Sequence, residues 1–203
     1  MQLGFFIDIN KCTGCRSCEM ACKQEKGLAP SQRFRRVTLV EDTALPVSFY
    51  LSLACNHCQN PECMRVCPTQ TYHKRRDGVV IHDPGNCSGC CTCVRACPYG
   101  APQFDPRNGK VDKCDLCIGR LLKGKAPACV EACPNSALLV LDLDVFPDTD
   151  ARTVHLGGAP ASTLWEWIPT LPDPRLTRPS VRFPDLTGPE VYLMGSPPEK
   201  SNR

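Results

Sequence analysis

The chain has 203 residues, of which 17 are cysteine, and its longest unbroken apolar stretch is the five residues Ala137 to Leu141. A membrane span needs ~18 or more such residues, so none is expected; with the cysteines set aside, apolar residues make up about a third of the chain, a thin core for this length. The formal charge of +3, from 24 basic and 21 acidic residues, is too near neutral to imply a polyanionic partner, and nucleic acid gets no support from it.

The first predicted element is a strand over Leu3 to Ile9, with no basic leader ahead of it, so neither a signal peptide nor a transit sequence is expected. Cys18 to Lys26 reads as a short helix ended by Gly27. Thr71 to Lys74 and Val79 to Ile81 flank Asp77-Gly78, and Pro102 to Asp105 and Lys110 to Asp112 flank Asn108-Gly109; both patterns predict hairpins. Cys114 to Lys123 reads as a helix ended by Gly124, and Ala137 to Leu143 as a closing strand. Residues 147–203 hold no cysteine and 10 of the 20 prolines, a composition that cannot build its own core. Because that segment still carries Trp165, Trp167, Ile168, Phe183 and Tyr192, it is expected to be an extended arm laid on a partner.

Seventeen thiols cannot all pair, and without a secretory signal a disulfide framework loses its usual context, which leaves metal ligation as the leading account. The first group, Cys12, Cys15, Cys18 and Cys22, reads C-x2-C-x2-C-x3-C, and the third, Cys87, Cys90, Cys93 and Cys97, repeats it before Pro98. That is the bacterial ferredoxin run for a 4Fe-4S cluster, whose fourth cysteine ligates the other cluster of a pair. Two-residue gaps let a tight loop aim three thiolates at three irons, while the fourth points elsewhere. The second group, Cys55, Cys58, Cys63 and Cys67, and the fourth, Cys114, Cys117, Cys129 and Cys133, keep the opening C-x2-C and the closing C-x3-C-P. Sixteen ligands suffice for four 4Fe-4S clusters. Cys91 is left over, since choosing it in place of Cys90 breaks the repeat. Four all-cysteine zinc sites in a zinc-stabilised interaction module match in number, but such sites usually join two C-x2-C pairs through a long spacer. With no dinucleotide, P-loop, HExxH, GxSxG or haem-attachment motif, no catalytic site is expected.

The fold class expected is α+β: two bacterial-ferredoxin-like lobes, one inserted in the other, plus the extended proline-rich C-terminal arm. Residues 1–54 and 113–146 are expected to form the lobe of the first and fourth cysteine groups, residues 55–112 the inserted lobe of the second and third groups, and residues 147–203 the arm. Lys11, Arg16, His57, Arg65, Arg95 and Lys113, beside or close to the cysteines, are candidates for tuning cluster potentials through nearby charge and hydrogen bonds. His57 is not expected to be a ligand, because thiolates already meet the count.

The segments GFFIDINKCTGCRSCEMACK, YLSLACNHCQNPECMRVCP and GNCSGCCTCVRACPYGAPQFD resemble the iron-sulfur electron-transfer (beta) subunits of the dimethyl sulfoxide reductase family of molybdopterin oxidoreductases, over about residues 3 to 145. The resemblance implies that Cys12, Cys15, Cys18 and Cys133 hold cluster 1, nearest the catalytic subunit. It places Cys22, Cys114, Cys117 and Cys129 on cluster 2, Cys55, Cys58, Cys63 and Cys97 on cluster 3, and Cys67, Cys87, Cys90 and Cys93 on cluster 4. It further implies a molybdenum-bis(pterin) catalytic partner and a quinone-reactive membrane anchor. Electrons then run from quinol through clusters four, three, two and one. The chain itself would fold in the cytoplasm and reach a membrane, on either face, only through those partners. Related nitrate reductase subunits have a tryptophan in place of Cys90 and a 3Fe cluster there; the cysteine implies a complete fourth cluster. Subunits of formate dehydrogenase, polysulfide or thiosulfate reductase and hydrogenase complexes are the alternatives within the same chemistry.

Overall fold

The computed structural model describes residues 1–41, 48–144, 164, 165, 168 and 170–184. In chain order the elements are β1 (Leu3–Ile7), α1 (Ser17–Lys26), β2 (Arg36–Val40), β3 (Phe49–Leu53), α2 (Glu62–Arg65), β4 (Tyr72–Lys74) and β5 (Val80–His82). After a 3-10 turn at Pro84–Asn86 come α3 (Thr92–Ala96), β6 (Gln103–Asp105), β7 (Lys110–Asp112), α4 (Ile118–Leu121), α5 (Ala128–Glu131), β8 (Leu138–Asp142), β9 (Leu164–Trp165), α6 (Pro174–Thr177) and β10 (Val181–Pro184). No helix among the described residues is long and apolar enough to cross a membrane.

A four-stranded sheet in the order β8-β1-β10-β9 anchors this mixed α and β fold. All five residues of β1 are buried, which is why its sequence, LGFFI, is a continuous apolar run and not an alternating one. On one side β1 pairs antiparallel with β8, Phe5 opposite Val140; on the other it runs parallel to β10, Phe5 opposite Val181. Three separate antiparallel hairpins, β2-β3, β4-β5 and β6-β7, complete the strands. The two predicted from Asp77-Gly78 and Asn108-Gly109 form as expected, each turn with its glycine in the left-handed region at φ 80° and 70°.

Helix α1 ends where predicted: Gly27 adopts φ 57°, and the N–H groups of Gly27 and Leu28 return to the carbonyls of Gln24 and Lys23. The helix expected over Cys114 to Lys123 shrinks to α4. Leu116 and Cys117 both have positive φ, at 58° and 51°, which no α-helix accommodates, so the first turn is a loop.

The larger correction concerns the proline-rich segment. Its described part lies on this chain's own core instead of extending away. Ile168 and Phe183 are fully buried, and Val181 and Phe183 of β10 face the same apolar cluster as Phe5 and Val140. The physical reason is that β1 has a second edge, and leaving that edge open would strand backbone donors beside an apolar surface. The segment also grips the loop of Cys55 and Cys58: Ser180 N–H donates to Asn56 O at 2.8 Å, Ser180 Oγ–H to His57 O at 3.0 Å, and the N–H groups of Gln59 and Asn60 to the carbonyls of Arg178 and Thr177. Trp167 and Tyr192, two of the predicted anchors, and the Trp165 side chain lie outside the described residues.

Candidate metal centres

Each opening C-x2-C adopts one loop design. The residue just before the second cysteine has positive φ in all four: Gly14 at 70°, His57 at 43°, Gly89 at 72° and Leu116 at 58°. That turn reverses the chain within three residues and directs both thiols to one side. Short helices then carry the later cysteines: Cys18 and Cys22 lie on α1, Cys63 on α2, Cys93 on α3 and Cys129 on α5. Packing of α1 against α5 joins the first and fourth groups, and packing of α2 against α3 joins the second and third.

Three cavities result, each lined by four or more cysteines drawn from two groups. Cys12, Cys15, Cys18 and Cys133 line one; Cys55, Cys58, Cys63 and Cys97 line another; Cys67, Cys87, Cys90, Cys91 and Cys93 line a third. The remaining four, Cys22, Cys114, Cys117 and Cys129, are all buried near one another. Burial pushes the Cys22 thiol up to about 12, with further increments from Cys129 and Cys117, and drives Cys114 upward with Cys55, Cys22 and Cys129 adding to the effect. Cys58 and Cys63 are likewise pushed up to about 12 by burial, with Cys55 as the next cause for both. Such thiols keep their protons unless a metal displaces them, so cluster insertion here releases protons.

The donor chemistry fits iron-sulfur clusters. Backbone N–H groups point at cysteine sulfurs in a repeated pattern: Gly89 to Cys87 and Leu116 to Cys114, both at 3.4 Å, and Ala101 to Cys97 at 3.5 Å and Ala137 to Cys133 at 3.2 Å. Hydroxyls two residues on sit beside the more accessible thiols, Ser17 by Cys15, Thr69 by Cys67 and Thr92 by Cys90. The Ser17 and Thr92 hydroxyls draw Cys15 and Cys90 down, stabilising the thiolates that iron needs.

Of the six tuning candidates, two are buried beside these cysteines. Lys113 places Nζ on the carbonyls of Val80 and Cys114. His57 is 1% exposed; its Nδ1 accepts from Val80 N–H at 3.2 Å, and its Nε2 lies 3.9 Å from Cys114 Sγ. Burial, and then the Lys113 charge, holds His57 well below its usual range, so it is neutral with its proton on Nε2, facing the sulfur. Lys11, Arg16, Arg65 and Arg95 are exposed; Arg65 pairs with Glu62, and Lys11 with Asp8.

Two contributors escape a reading by neighbourhood in sequence. Thr177 is buried at the cavity of Cys55 and Cys58 and bonds Tyr99 Oη at 3.2 Å. Arg35, 1% exposed, bonds Ser52, whose Oγ lies 3.3 Å from Cys18 Sγ. Distance along the chain hides both.

The sequence matches the description "4Fe-4S dicluster domain" over residues 46–143 and "4Fe-4S binding domain" over residues 3–24. It is 42% identical over 190 residues to the B subunit of anaerobic dimethyl sulfoxide reductase from Escherichia coli, covering 89% of this chain and 87% of that subunit. The Haemophilus influenzae subunit of the same name is 38% identical over 216 residues, covering 98% of both. The iron-sulfur subunit of formate dehydrogenase from Wolinella succinogenes is 33% identical over 190 residues, covering 82% of this chain and 94% of its own length. With cysteine-lined sites, sulfur-directed amides and relatives of nearly equal length, this chain belongs to the 4Fe-4S iron-sulfur electron-transfer subunits of the dimethyl sulfoxide reductase type.

Proposed function

We propose that the chain holds four 4Fe-4S clusters and relays electrons between a quinone-linked membrane subunit and a molybdenum-bis(pterin) catalytic subunit, most like that of anaerobic dimethyl sulfoxide reductase, with no catalytic site of its own. The observation that supports this reading is three cavities, each lined by cysteines of two sequence groups, with Cys22, Cys114, Cys117 and Cys129 left over and all buried. Cys12, Cys15, Cys18 and Cys133 hold cluster 1, and Cys22, Cys114, Cys117 and Cys129 cluster 2. Cys55, Cys58, Cys63 and Cys97 hold cluster 3, and Cys67, Cys87, Cys90 and Cys93 cluster 4. In this reading residues 55–112 are the inserted lobe, and attachment to a membrane is through partners.

When bound, the clusters supply one-electron carriers in series. The side chains support the order one to four. Cys129 acts electrostatically on Cys18, linking sites 1 and 2; Cys55 acts on Cys114, and His57 Nε2 lies 3.9 Å from Cys114 Sγ, linking 2 and 3; Cys63 lies on α2 and Cys67 just past its end, linking 3 and 4. Cys15 and Cys90, the two exposed ligands, belong to the terminal sites, where partners must approach.

Cys91 is not a ligand in this reading. It caps α3 at φ 57°, ψ 14°, the backbone position that Arg16 holds at the start of α1 with φ 62°, ψ 9°, and its thiol donates to Gly89 O at 3.3 Å. Metal and sulfide analysis of anaerobically purified protein tests the whole proposal: about sixteen irons per chain are expected, whereas about four zincs and no visible absorbance would replace it with a zinc-stabilised module.

A further inference from the structure

We infer that Arg35 is a fixed positive charge shared by cluster sites 1 and 2, seated on the Phe5 ring and bound to Ser52, whose hydroxyl meets Cys18, and that it raises the reduction potentials of both. The inference rests on the ligand sets proposed above for those two sites.

Arg35 is the largest fully buried side chain among the described residues. Its Nη1 donates to Ser52 O at 2.9 Å and Ser52 Oγ at 3.2 Å, and its guanidinium carbon lies 4.3 Å from the centre of the Phe5 ring. Nε and Nη2 are buried without a hydrogen-bond partner, and no carboxylate pairs with the group in the ion pairs of the described residues. A guanidinium cannot shed its charge at any ordinary pH, and a buried ion without a counter-ion costs several kcal/mol. The compensating negative charge must therefore be close. The groups that act on Arg35 are the side chains of Cys129, Cys18 and Cys114, which span the two sites and become thiolates on binding iron.

Ser52 adds a directed link. Arginine only donates, so Ser52 Oγ accepts from Nη1 and has one proton left, and its other near neighbour is Cys18 Sγ at 3.3 Å. Once Cys18 is an iron-bound thiolate it can only accept, which fixes the chain Arg35 to Ser52 to Cys18. Reduction adds an electron to a site that is already negative, and both the buried charge and the hydroxyl favour the reduced form. No equivalent buried guanidinium borders the Cys67, Cys87, Cys90 and Cys93 cavity among the described residues; Thr69, Thr71 and Thr92 hydroxyls face those sulfurs.

The test is a redox titration followed by electron paramagnetic resonance on the complex purified with full-length Arg35→Met, Arg35→Lys or Ser52→Ala chains. In Arg35→Met two of four midpoints are expected to fall, each by at least a tenfold change in the one-electron equilibrium, which is 59 mV. Arg35→Lys keeps the charge and recovers most of the shift, and Ser52→Ala lowers one of the same two midpoints by a smaller amount. Four intact clusters with unchanged midpoints, or four midpoints moving together, would overturn the inference, as would a lysine variant behaving like the methionine one. If Arg35→Met assembles fewer clusters, Ser52→Ala decides: a single lowered midpoint supports the link, and none refutes it. A wild-type chain with fewer than four clusters would instead defeat the ligand sets themselves.

Discussion

The two larger apolar clusters among the described residues are built on different terms. Around β1 and β10, 22 buried residues form one core, of which only Cys18, Cys22, Cys55, Cys114 and Cys129 are cysteines. Around β4, β5 and β7, the second core has five: Cys63, Tyr72, Val80, Cys93 and Val111. The first can hold its strands by burying Phe5, Phe34, Phe49, Phe183 and the aliphatic residues between them. The second has two proposed ligands among five members, and its hairpins are three-residue strands too short to persist alone. Where apolar area is plentiful the metal is an addition to the fold; where it is scarce the metal is the fold's centre.

Removing iron is the most severe way to break that comparison. Anaerobic chelation is expected to abolish hydrogen-exchange protection at β4, β5, β6 and β7 while β1, β8 and β10 keep most of theirs. Uniform loss across all of them would mean that both cores depend on metal alike. Phe183→Ala strikes the other side: it empties a fully buried site of the main core and is expected to lower stability by about 3–5 kcal/mol with iron content retained at the Cys67, Cys87, Cys90 and Cys93 site. Thermal unfolding under anaerobic conditions measures it; an unchanged midpoint would separate β10 from the core that the burial of Phe183 indicates.

A matched pair of glycines sharpens the contrast further. Gly14 and Gly89 hold the same place in the first and third cysteine loops, at φ 70° and 72°, so alanine at either brings left-handed strain of about 1–2 kcal/mol. Their surroundings differ. A Cβ at Gly14 would lie 2.6 Å from the Tyr50 ring, a half-buried side chain that can turn away; at Gly89 it would lie 2.2 Å from the backbone oxygen of Gly109, which cannot move without the β6-β7 turn. Gly89→Ala is therefore expected to lose a whole cluster, about four irons, and Gly14→Ala to keep its cluster with broadened spectra. Gly109→Ala, with open space around its Cβ, is the control for strain alone. Equal iron loss in Gly14→Ala and Gly89→Ala would show that strain, not the backbone clash, governs.

Much of this is legible in the sequence because the decisive signals are local. Asp77-Gly78 and Asn108-Gly109 mark two hairpins, Gly27 ends α1, and the repeated spacing isolates sixteen thiols from Cys91. What stays hidden depends on neighbours distant in the chain. The β2-β3 hairpin lacks clean alternation, with Thr38 and Leu39 exposed in succession. β10 is concealed by its proline-rich surroundings, and its strand character comes from the open edge of β1, which composition cannot report. The helix predicted over Cys114 to Lys123 is too long because the positive φ of Leu116 and Cys117 serves the cysteine loop and overrides helical propensity. Arg35 sits in a run, Arg33-Phe34-Arg35-Arg36, that reads as a solvated surface; Phe5 and Ser52 single out one of its three charges.

The smallest expected effect concerns a single iron at the end of the molecule where apolar support is least. Cys90 is exposed and its thiol is drawn down by the Thr92 and Ser88 hydroxyls, whereas the neighbouring Cys91 is half-buried and occupied with Gly89 O. Serine at position 90 keeps the loop's shape and removes one soft ligand, so Cys90→Ser is expected to lose about one iron and convert cluster 4 to a 3Fe form, visible by electron paramagnetic resonance in the oxidised state, with the other three clusters unchanged. Cys91→Ser is expected to leave four complete clusters, because a hydroxyl can make the same bond to Gly89 O and the cap conformation that Arg16 also adopts does not aim its side chain at iron. The reverse pair of results would transfer the ligand role to Cys91. It would also imply that the third loop departs from the first at a position where their backbones now agree.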